Sequence, residues 1–149
     1  MYRGSRQNAL QRGYIEANPQ TVSNLLGVDI DHEDALLKSI WDREGWRPNA
    51  LVENPANGHA HAVWPLIEPI TRTEYARRNP LSFAAAVTEG LRRYVHGDKN
   101  YSGLMTKNSD HDHSNASWWS NELYHAGNPA TVPYSVAKPR PYYNNFKRK

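Results

Sequence analysis

Asp29 and Asp31 are two carboxylates separated by one residue, at the end of the apolar stretch LLGV. If this stretch is a strand, the two side chains lie on the same face, about 7 Å apart at their Cα atoms. Two like charges at that distance repel each other unless a cation lies between them, and carboxylate oxygens are ligands that suit Mg²⁺ or Mn²⁺. The pair is therefore a candidate divalent-metal site. The alternative is a strand that ends in two solvated acids.

His59 and His61 repeat the same spacing in the segment NPANGHAHAVW, between a turn and an apolar run. On a strand both imidazoles lie on one face, and Ala60 and Ala62 lie on the other. Neutral imidazoles can bind a transition metal or donate hydrogen bonds to phosphate oxygens. A purely structural histidine pair is the alternative that this spacing leaves open.

Three further residues could take part in chemistry on metals or anions. Asp98 directly follows the clearest helical pattern in the chain, and Lys107 and Asn108 offer a cation and an amide for contact with phosphate or ribose. The run DHDH at 110–113 also contains metal-ligand types, but it lies in a polar stretch without apolar support. We therefore interpret that run as a solvated loop.

The elements that must position these residues alternate between strand-like and helix-like patterns, which predicts a small α+β domain. Strands are predicted at 22–31, 49–54, 59–67 and 101–106. The turn NPANG joins the second and third of these strands as a hairpin. Helices are predicted at about 8–14, at 34–42 and at 79–96. The last helix begins at Asn79-Pro80 and ends before Gly97, as capping preferences require. We expect a small antiparallel or mixed sheet with flanking helices.

Composition and charge limit the class of protein. The chain has 149 residues, 38% of them hydrophobic, and no cysteine, which suits one modest core and excludes disulfides and thiolate metal sites. No apolar run is near the roughly 20 residues of a membrane span, and no signal peptide is visible, so we expect a soluble, intracellular protein. The net charge is +3, and both ends are basic around an acidic centre. This distribution suits a polyanionic partner and a cation site, although solvated tails are the alternative.

Five segments occur in an order that resembles a known family. They are YIEANP (14–19), LLGVDID (25–31), NPANGHAH (54–61), PLSFAAAVTEGL (80–91) and DKNYSGLMTKN (98–108). In this order they are similar to the catalytic domain of the plasmid replicase family, the replication-initiator primases of small theta-replicating bacterial plasmids. That family is a branch of the archaeo-eukaryotic primase superfamily. The resemblance implies an RRM-like primase catalytic core.

The resemblance also implies a chemistry and a set of acids. Asp29, Asp31 and Asp98 would be the catalytic residues, and they would bind Mg²⁺ or Mn²⁺ for two-metal nucleotidyl transfer. The substrates implied are a single-stranded DNA template and nucleoside triphosphates, in the bacterial cytoplasm and without a membrane.

Nucleotide binding would fall to the histidines and to the segment around 107. His61 is the first choice for holding the phosphates of the incoming nucleotide, and His59 is the second. Lys107 and Asn108 would lie in the nucleotide pocket.

We expect the chain to have three parts. These are a basic N-terminal segment over 1–20, the primase catalytic domain over 21–125 and a Pro-rich, basic and poorly ordered tail over 126–149. The helix-turn-helix part that family members usually carry has no counterpart here. We therefore expect origin recognition by a separate or missing DNA-binding domain.

Two other functions are compatible with parts of the sequence. His-x-His also resembles the motif of rolling-circle nicking endonucleases, in which two histidines bind one metal and a tyrosine attacks the DNA phosphate. Tyr94 or Tyr101 would be that tyrosine. A non-catalytic nucleic-acid-binding module with basic tails and surface aromatics is the other. Both leave Asp29, Asp31 and Asp98 without a role.

Overall fold

Strands and helices alternate along the chain in the computed structural model, which describes residues 4–40, 47–121 and 123–124. The elements in these ranges are α1 (Arg6–Leu10), β1 (Tyr14–Glu16), β2 (Val22–Ile30), α2 (Ala35–Ile40), β3 (Ala50–Glu53), β4 (Ala60–Thr71), α3 (Arg78–Val95), β5 (Met105–Lys107) and β6 (Asn115–Trp118). The architecture is α+β, as the sequence predicts.

The largest sheet has four antiparallel strands in the order β2-β4-β3-β6. β2 and β4 pair from Val22 opposite Thr71 to Ile30 opposite Ala60. β3 and β4 form the predicted hairpin, which is closed by a hydrogen bond of 2.8 Å from the Gly58 N–H to the Asn54 carbonyl. β1 and β5 form a second, two-stranded antiparallel sheet. The prediction of a small antiparallel sheet with flanking helices is confirmed.

The core lies between the large sheet and α3. Val28 and Ile30 of β2, Trp64 of β4 and Val87 and Leu91 of α3 belong to one buried cluster. Alternate residues of a strand point to opposite faces, so the apolar positions of β2 and β4 cover one face of the sheet and leave the other for polar residues. Burial of each large apolar side chain contributes about 1.5–3 kcal/mol. This packing therefore holds β2 and β4 in a fixed register.

Several boundaries differ from the predicted ones. β4 continues past the predicted end at 67 although it contains Pro65 and Pro69, and β2 compensates with an irregular register between Ser23 and Leu25. The strand predicted at 101–106 is shortened to β5 because Gly103 adopts a positive φ of 72°. α3 begins one residue before the predicted position, after Arg77.

The N-terminal region differs from the helix predicted at about 8–14. Instead of a helix at 8–14, the structure has α1 followed by β1, and β1 pairs with β5 so that Tyr14 lies opposite Lys107. β6 is not predicted from its polar sequence, and it extends the large sheet next to β3. The predicted tail at 126–149 lies outside the described residues. Among the described helices, none is long and apolar enough to span a membrane.

Candidate functional site

The polar face of β2 and β4 brings the two carboxylates and the two histidines together. The antiparallel register places Asp29 directly opposite His61. The His61 Nε2 atom lies 3.2 Å from Asp29 Oδ1, and the His59 Nδ1 atom lies 3.2 Å from Asp31 Oδ1. Each histidine is therefore paired with one carboxylate across the strand pair. Because the acids and the histidines each have i, i+2 spacing, the strand pair forms two neighbouring acid–histidine pairs on the polar face of the sheet.

His61 is buried and both of its ring nitrogens face the protein. Its Nδ1 atom accepts a hydrogen bond of 3.3 Å from the Lys107 N–H, so the proton of the neutral ring lies on Nε2, toward Asp29. The rings of Tyr14 and Tyr101 contact it edge-on, with centroid distances of 5.8 and 5.0 Å. These contacts fix the position of His61 and leave neither nitrogen directed at solvent.

His59 is the more accessible of the two histidines. Its side chain is 34% exposed, and the side chain of its partner Asp31 is 55% exposed. Its backbone N–H is held by the Asn57 side chain at 3.1 Å, within the turn that ends at Gly58. The sequence-based preference for His61 as the phosphate contact therefore differs from the order of accessibility, in which His59 comes first.

Asp29 carries a buried oxygen without a well-formed hydrogen bond. Oδ1 is buried, with His61 Nε2 3.2 Å and Lys107 Nζ 3.9 Å away. Burial alone would raise the pKa of Asp29, but the contact with His61 and the positive charge of Lys107 outweigh it, so the pKa is lowered. The side chain is thus a carboxylate with unused acceptor capacity, which is what a cation ligand requires.

Asp29 and Asp31 fit a divalent cation as a two-carboxylate anchor. They lie on one face, and Asp31 opens the pair to solvent. No group of three or more acidic or histidine side chains that could hold a metal is found in the described ranges. Mg²⁺ is commonly bound by one or two carboxylates together with substrate phosphates and water, so two protein carboxylates are sufficient for such a site. Substrate would have to complete the coordination.

Lys107 brings a cation to the same face from β5. Burial lowers the pKa of Lys107, and the charges of Asp29 and Asp31 act in the opposite direction. Its ammonium group also lies 5.6 Å from the centre of the Tyr14 ring, and the Tyr14 side chain is half-exposed. A phosphate group that approached Asp29 and Asp31 would therefore meet this cation.

Asp98 contacts Asp29 by a hydrogen bond between their main chains. Its N–H donates to the Asp29 carbonyl at 2.8 Å, at the edge of β2 that faces away from β4. Its carboxylate accepts a hydrogen bond of 3.4 Å from Asn100, and its negative charge contributes to the raised pKa of Arg92, for which the hydrogen bond to Glu89 is the main cause. The expected three-acid cluster is thus not formed in the described part of the chain.

Asn108 is buried and its amide is used by the N-terminal segment. Its Nδ2 atom donates to the carbonyls of Leu10 and Arg12, both at 2.8 Å, and its backbone N–H donates to Gly13 at 2.9 Å. Its Oδ1 atom accepts from the Asp110 N–H at 3.1 Å. In place of the expected role in a nucleotide pocket, the side chain holds the N-terminal segment next to β5.

The sequence does not identify two residues that shape the site, Gly27 and Tyr14. A Cβ atom on Gly27 would lie 3.2 Å from the ring of Tyr101, so glycine lets that ring lie against β2 and reach His61. A glycine inside a strand pattern is a known sign of close approach by another part of the chain, so the sequence contains a signal for Gly27. The sequence contains no such signal for Tyr14, because only the pairing of β1 with β5 places Tyr14 next to His61.

The histidine-rich loop at 110–113 stays apart from this chemistry. The rings of His111 and His113 contact each other at 5.3 Å, and the His113 N–H donates to His111 Nδ1 at 3.2 Å. Among the described residues of this loop, no group of three or more potential metal ligands is formed.

Comparisons with known proteins agree on family and fold. Residues 1–128 match the family model described as Replicase family. The primase-polymerase (PrimPol) AEP domain of cyanophage S-2L is similar in structure, with a TM-score of 0.55 and 15% identity over 80% of this chain and 68% of that chain. No curated protein sequence matches the chain. The family match confirms the resemblance seen in the sequence, and the structural likeness confirms the primase-type α+β fold.

Proposed function

Since the chain belongs to the Replicase family, we propose that it is a template-dependent primase or primase-polymerase that synthesises short primers by two-metal nucleotidyl transfer. The observation that carries this proposal is the paired arrangement of Asp29 with His61 and Asp31 with His59, with Lys107 on the same face. The substrates are a single-stranded DNA template and nucleoside triphosphates. The enzyme works in the bacterial cytoplasm.

In this proposal Asp29 and Asp31 hold Mg²⁺ or Mn²⁺. The bound ions would activate the attacking hydroxyl and stabilise the negative charge of the pyrophosphate leaving group. The partly buried Asp29 is the fixed ligand because its position is set by β2 and by His61. The exposed Asp31 lies where a nucleotide can approach.

The cationic and histidine side chains handle the phosphates. The Lys107 Nζ atom lies 3.9 Å from Asp29 Oδ1 and provides positive charge for a phosphate bound beside the two carboxylates. His59 is the accessible histidine and donates to phosphate oxygens. His61 orients Asp29 and acts as a positioning residue, and Asp98 acts through its main-chain hydrogen bond to the Asp29 carbonyl.

Primer synthesis on single-stranded DNA with nucleoside triphosphates and Mg²⁺ or Mn²⁺ tests the proposal. Asp29→Asn and Asp31→Asn should each lower the rate by at least about 100-fold, because one electrostatic stabiliser is worth about 10²–10³ in rate. Asp112→Asn, a change of the same type in the exposed loop at 110–113, serves as the control. Full activity in both site variants, or no primer synthesis by the unmodified chain on any template, would contradict the proposal.

The nicking mechanism is the second candidate, and the geometry of Tyr101 disfavours it. Burial, and secondly the negative charge of Asp29, raise the pKa of Tyr101 to about 12, and its hydroxyl donates to the Met105 carbonyl. Both features oppose formation of a phenolate nucleophile. A covalent protein–DNA adduct that forms with the unmodified chain and disappears in Tyr101→Phe would favour nicking over primer synthesis.

A further inference from the structure

The connection between β4 and α3 carries an exposed aromatic ring among arginines. Tyr75 is 90% exposed, the highest value for a large apolar side chain in the described part of the protein. Arg72, Arg77 and Arg78 are also exposed, and Glu74 is the only acid within 72–78. We call these seven residues the 72–78 patch. A single exposed apolar side chain is common on protein surfaces, so the feature that sets this patch apart is the exposed aromatic ring together with three arginines.

A groove lies beside the 72–78 patch and extends to residues that neighbour the candidate site. The groove has a volume of about 490 Å³ and lies between α3 and β2, with Arg72 and Leu81 at one end and Asp98 and Tyr101 at the other. At that second end the Asp98 N–H is bonded to the Asp29 carbonyl, and the Tyr101 ring contacts His61. The groove therefore runs from Arg72 of the patch to residues that contact Asp29 and His61, whereas Tyr75 and the two carboxylates are not among its lining residues.

We infer that the 72–78 patch binds the single-stranded DNA template outside the catalytic site, with Tyr75 stacking on a base and the three arginines contacting phosphates. The inference rests on the proposed function for the identity of the strand. Aromatic rings stack on any base and arginines contact the common backbone, so the patch suits a strand of arbitrary sequence. A small-molecule ligand would require an enclosed pocket around the ring, whereas Tyr75 is open on nearly all sides.

The expected effects follow from these two contact types. Loss of one base–aromatic stack should weaken binding roughly 5- to 100-fold, and Tyr75→Phe, which keeps the ring, should bind like the unmodified chain. Each phosphate contact on single strands contributes about 0.7 to the slope of log affinity against log salt. The triple variant Arg72→Gln, Arg77→Gln and Arg78→Gln should therefore lower the magnitude of that slope by about 2. Two of these arginines lie at the positive end of α3, so their neutralisation does not destabilise the helix.

The experiment measures binding of the full chain to a fluorescent oligo(dT) of about 15 nucleotides by anisotropy over a range of salt concentrations. Arg47→Gln is the matched control, because Arg47 is exposed and precedes β3 on the side of β4 opposite to β2. It should leave affinity and slope unchanged.

Binding and primer synthesis separate the inference from the proposed function. Weakened binding by Tyr75→Ala and a reduced slope in the triple variant support the inference, even if the unmodified chain makes no primers. If the unmodified chain makes primers while both variants keep its affinity, its slope and its KM for template, the inference is overturned and the proposed function stands. Equal weakening by Arg47→Gln also overturns it, because binding would then reflect net charge alone.

Discussion

Gly97 lies where the end of α3 meets β2, and it offers a test of how tightly the fold holds Asp29. A Cβ atom at this position would lie 2.2 Å from Val28 Cγ1 and 2.9 Å from the Asp29 carbonyl oxygen. Non-bonded carbon atoms prefer about 3.5–4.0 Å, so Gly97→Ala requires a displacement of at least about 1.3 Å. Val28 is in the closely packed core and cannot move that far. The loop after α3 must therefore move away from β2.

The cost of this displacement in the free energy of unfolding can be estimated from the structure. Overpacking of a core costs about 1–3 kcal/mol, and loss of the Asp98–Asp29 main-chain hydrogen bond costs about 0.5–1.5 kcal/mol. We expect Gly97→Ala to lower the free energy of unfolding by about 2–4 kcal/mol. For a domain of this size that corresponds to a decrease in Tm of roughly 5–15 °C.

Urea unfolding followed by circular dichroism measures the change, with Gly13→Ala as the control. A Cβ atom on Gly13 would meet nothing within 4 Å, and its φ is not positive, so this control should differ from the unmodified chain by less than about 0.5 kcal/mol. If Gly97→Ala unfolds at the same urea concentration as Gly13→Ala with an unchanged m-value, the close packing of this loop against β2 is refuted.

Three further predictions concern the groups around the site. Gly58→Ala should cost more than about 2 kcal/mol, because Gly58 has a φ of +71° and its Cβ would lie 2.1 Å from the Glu33 carbonyl oxygen; an unchanged unfolding midpoint contradicts this. Tyr101 releases its proton near pH 12 in the folded state and near 10.0 when unfolded, so stability should fall as pH rises through that interval. The difference in tyrosinate absorbance between the unmodified chain and Tyr101→Phe, followed as a function of pH, gives the pKa of Tyr101. If Tyr101 titrates together with the other tyrosines, the prediction is wrong. Lys107→Met should raise the pKa of Asp29, because the substitution removes a positive charge that lowers this pKa. Carbon-detected NMR of the Asp29 carboxyl group measures the change. An unaltered pKa would show that the ammonium group of Lys107 does not act on Asp29.

The parts of the fold that the sequence predicts are those with local signals. The alternation that ends in Asp29 and Asp31 predicts β2, the turn NPANG predicts the β3–β4 hairpin, and Asn79-Pro80 predicts α3 to within one residue. The acid–histidine pairs follow almost directly, because two strands with polar residues at i and i+2 need only the right register to bring them together.

The parts that the sequence does not predict depend on contacts between distant segments. β1 is three residues long and forms only because β5 pairs with it, so its own sequence contains no sufficient signal. The directions of Asp98 and Asn108 are fixed by main-chain hydrogen bonds to residues far away in the sequence. The residue types alone suggest that Asp98 is a metal ligand and that the Asn108 amide binds substrate. Tertiary contacts, however, decide which partner each polar atom contacts.

The hydrogen bonds of the Asn108 side chain with the N-terminal segment also affect the order in which the protein folds. Its amide joins residues 98 positions apart, and the Lys107–His61 hydrogen bond joins residues 46 apart. Contacts of such long range form late, since the chain must close a large loop before they contribute. During synthesis the hairpin and β2 can pair before α3 has been made, whereas the lysine reaches the two carboxylates only after residue 107 has emerged. We therefore expect β2, β3 and β4 to pair first, and the charge balance around Asp29 to be completed later.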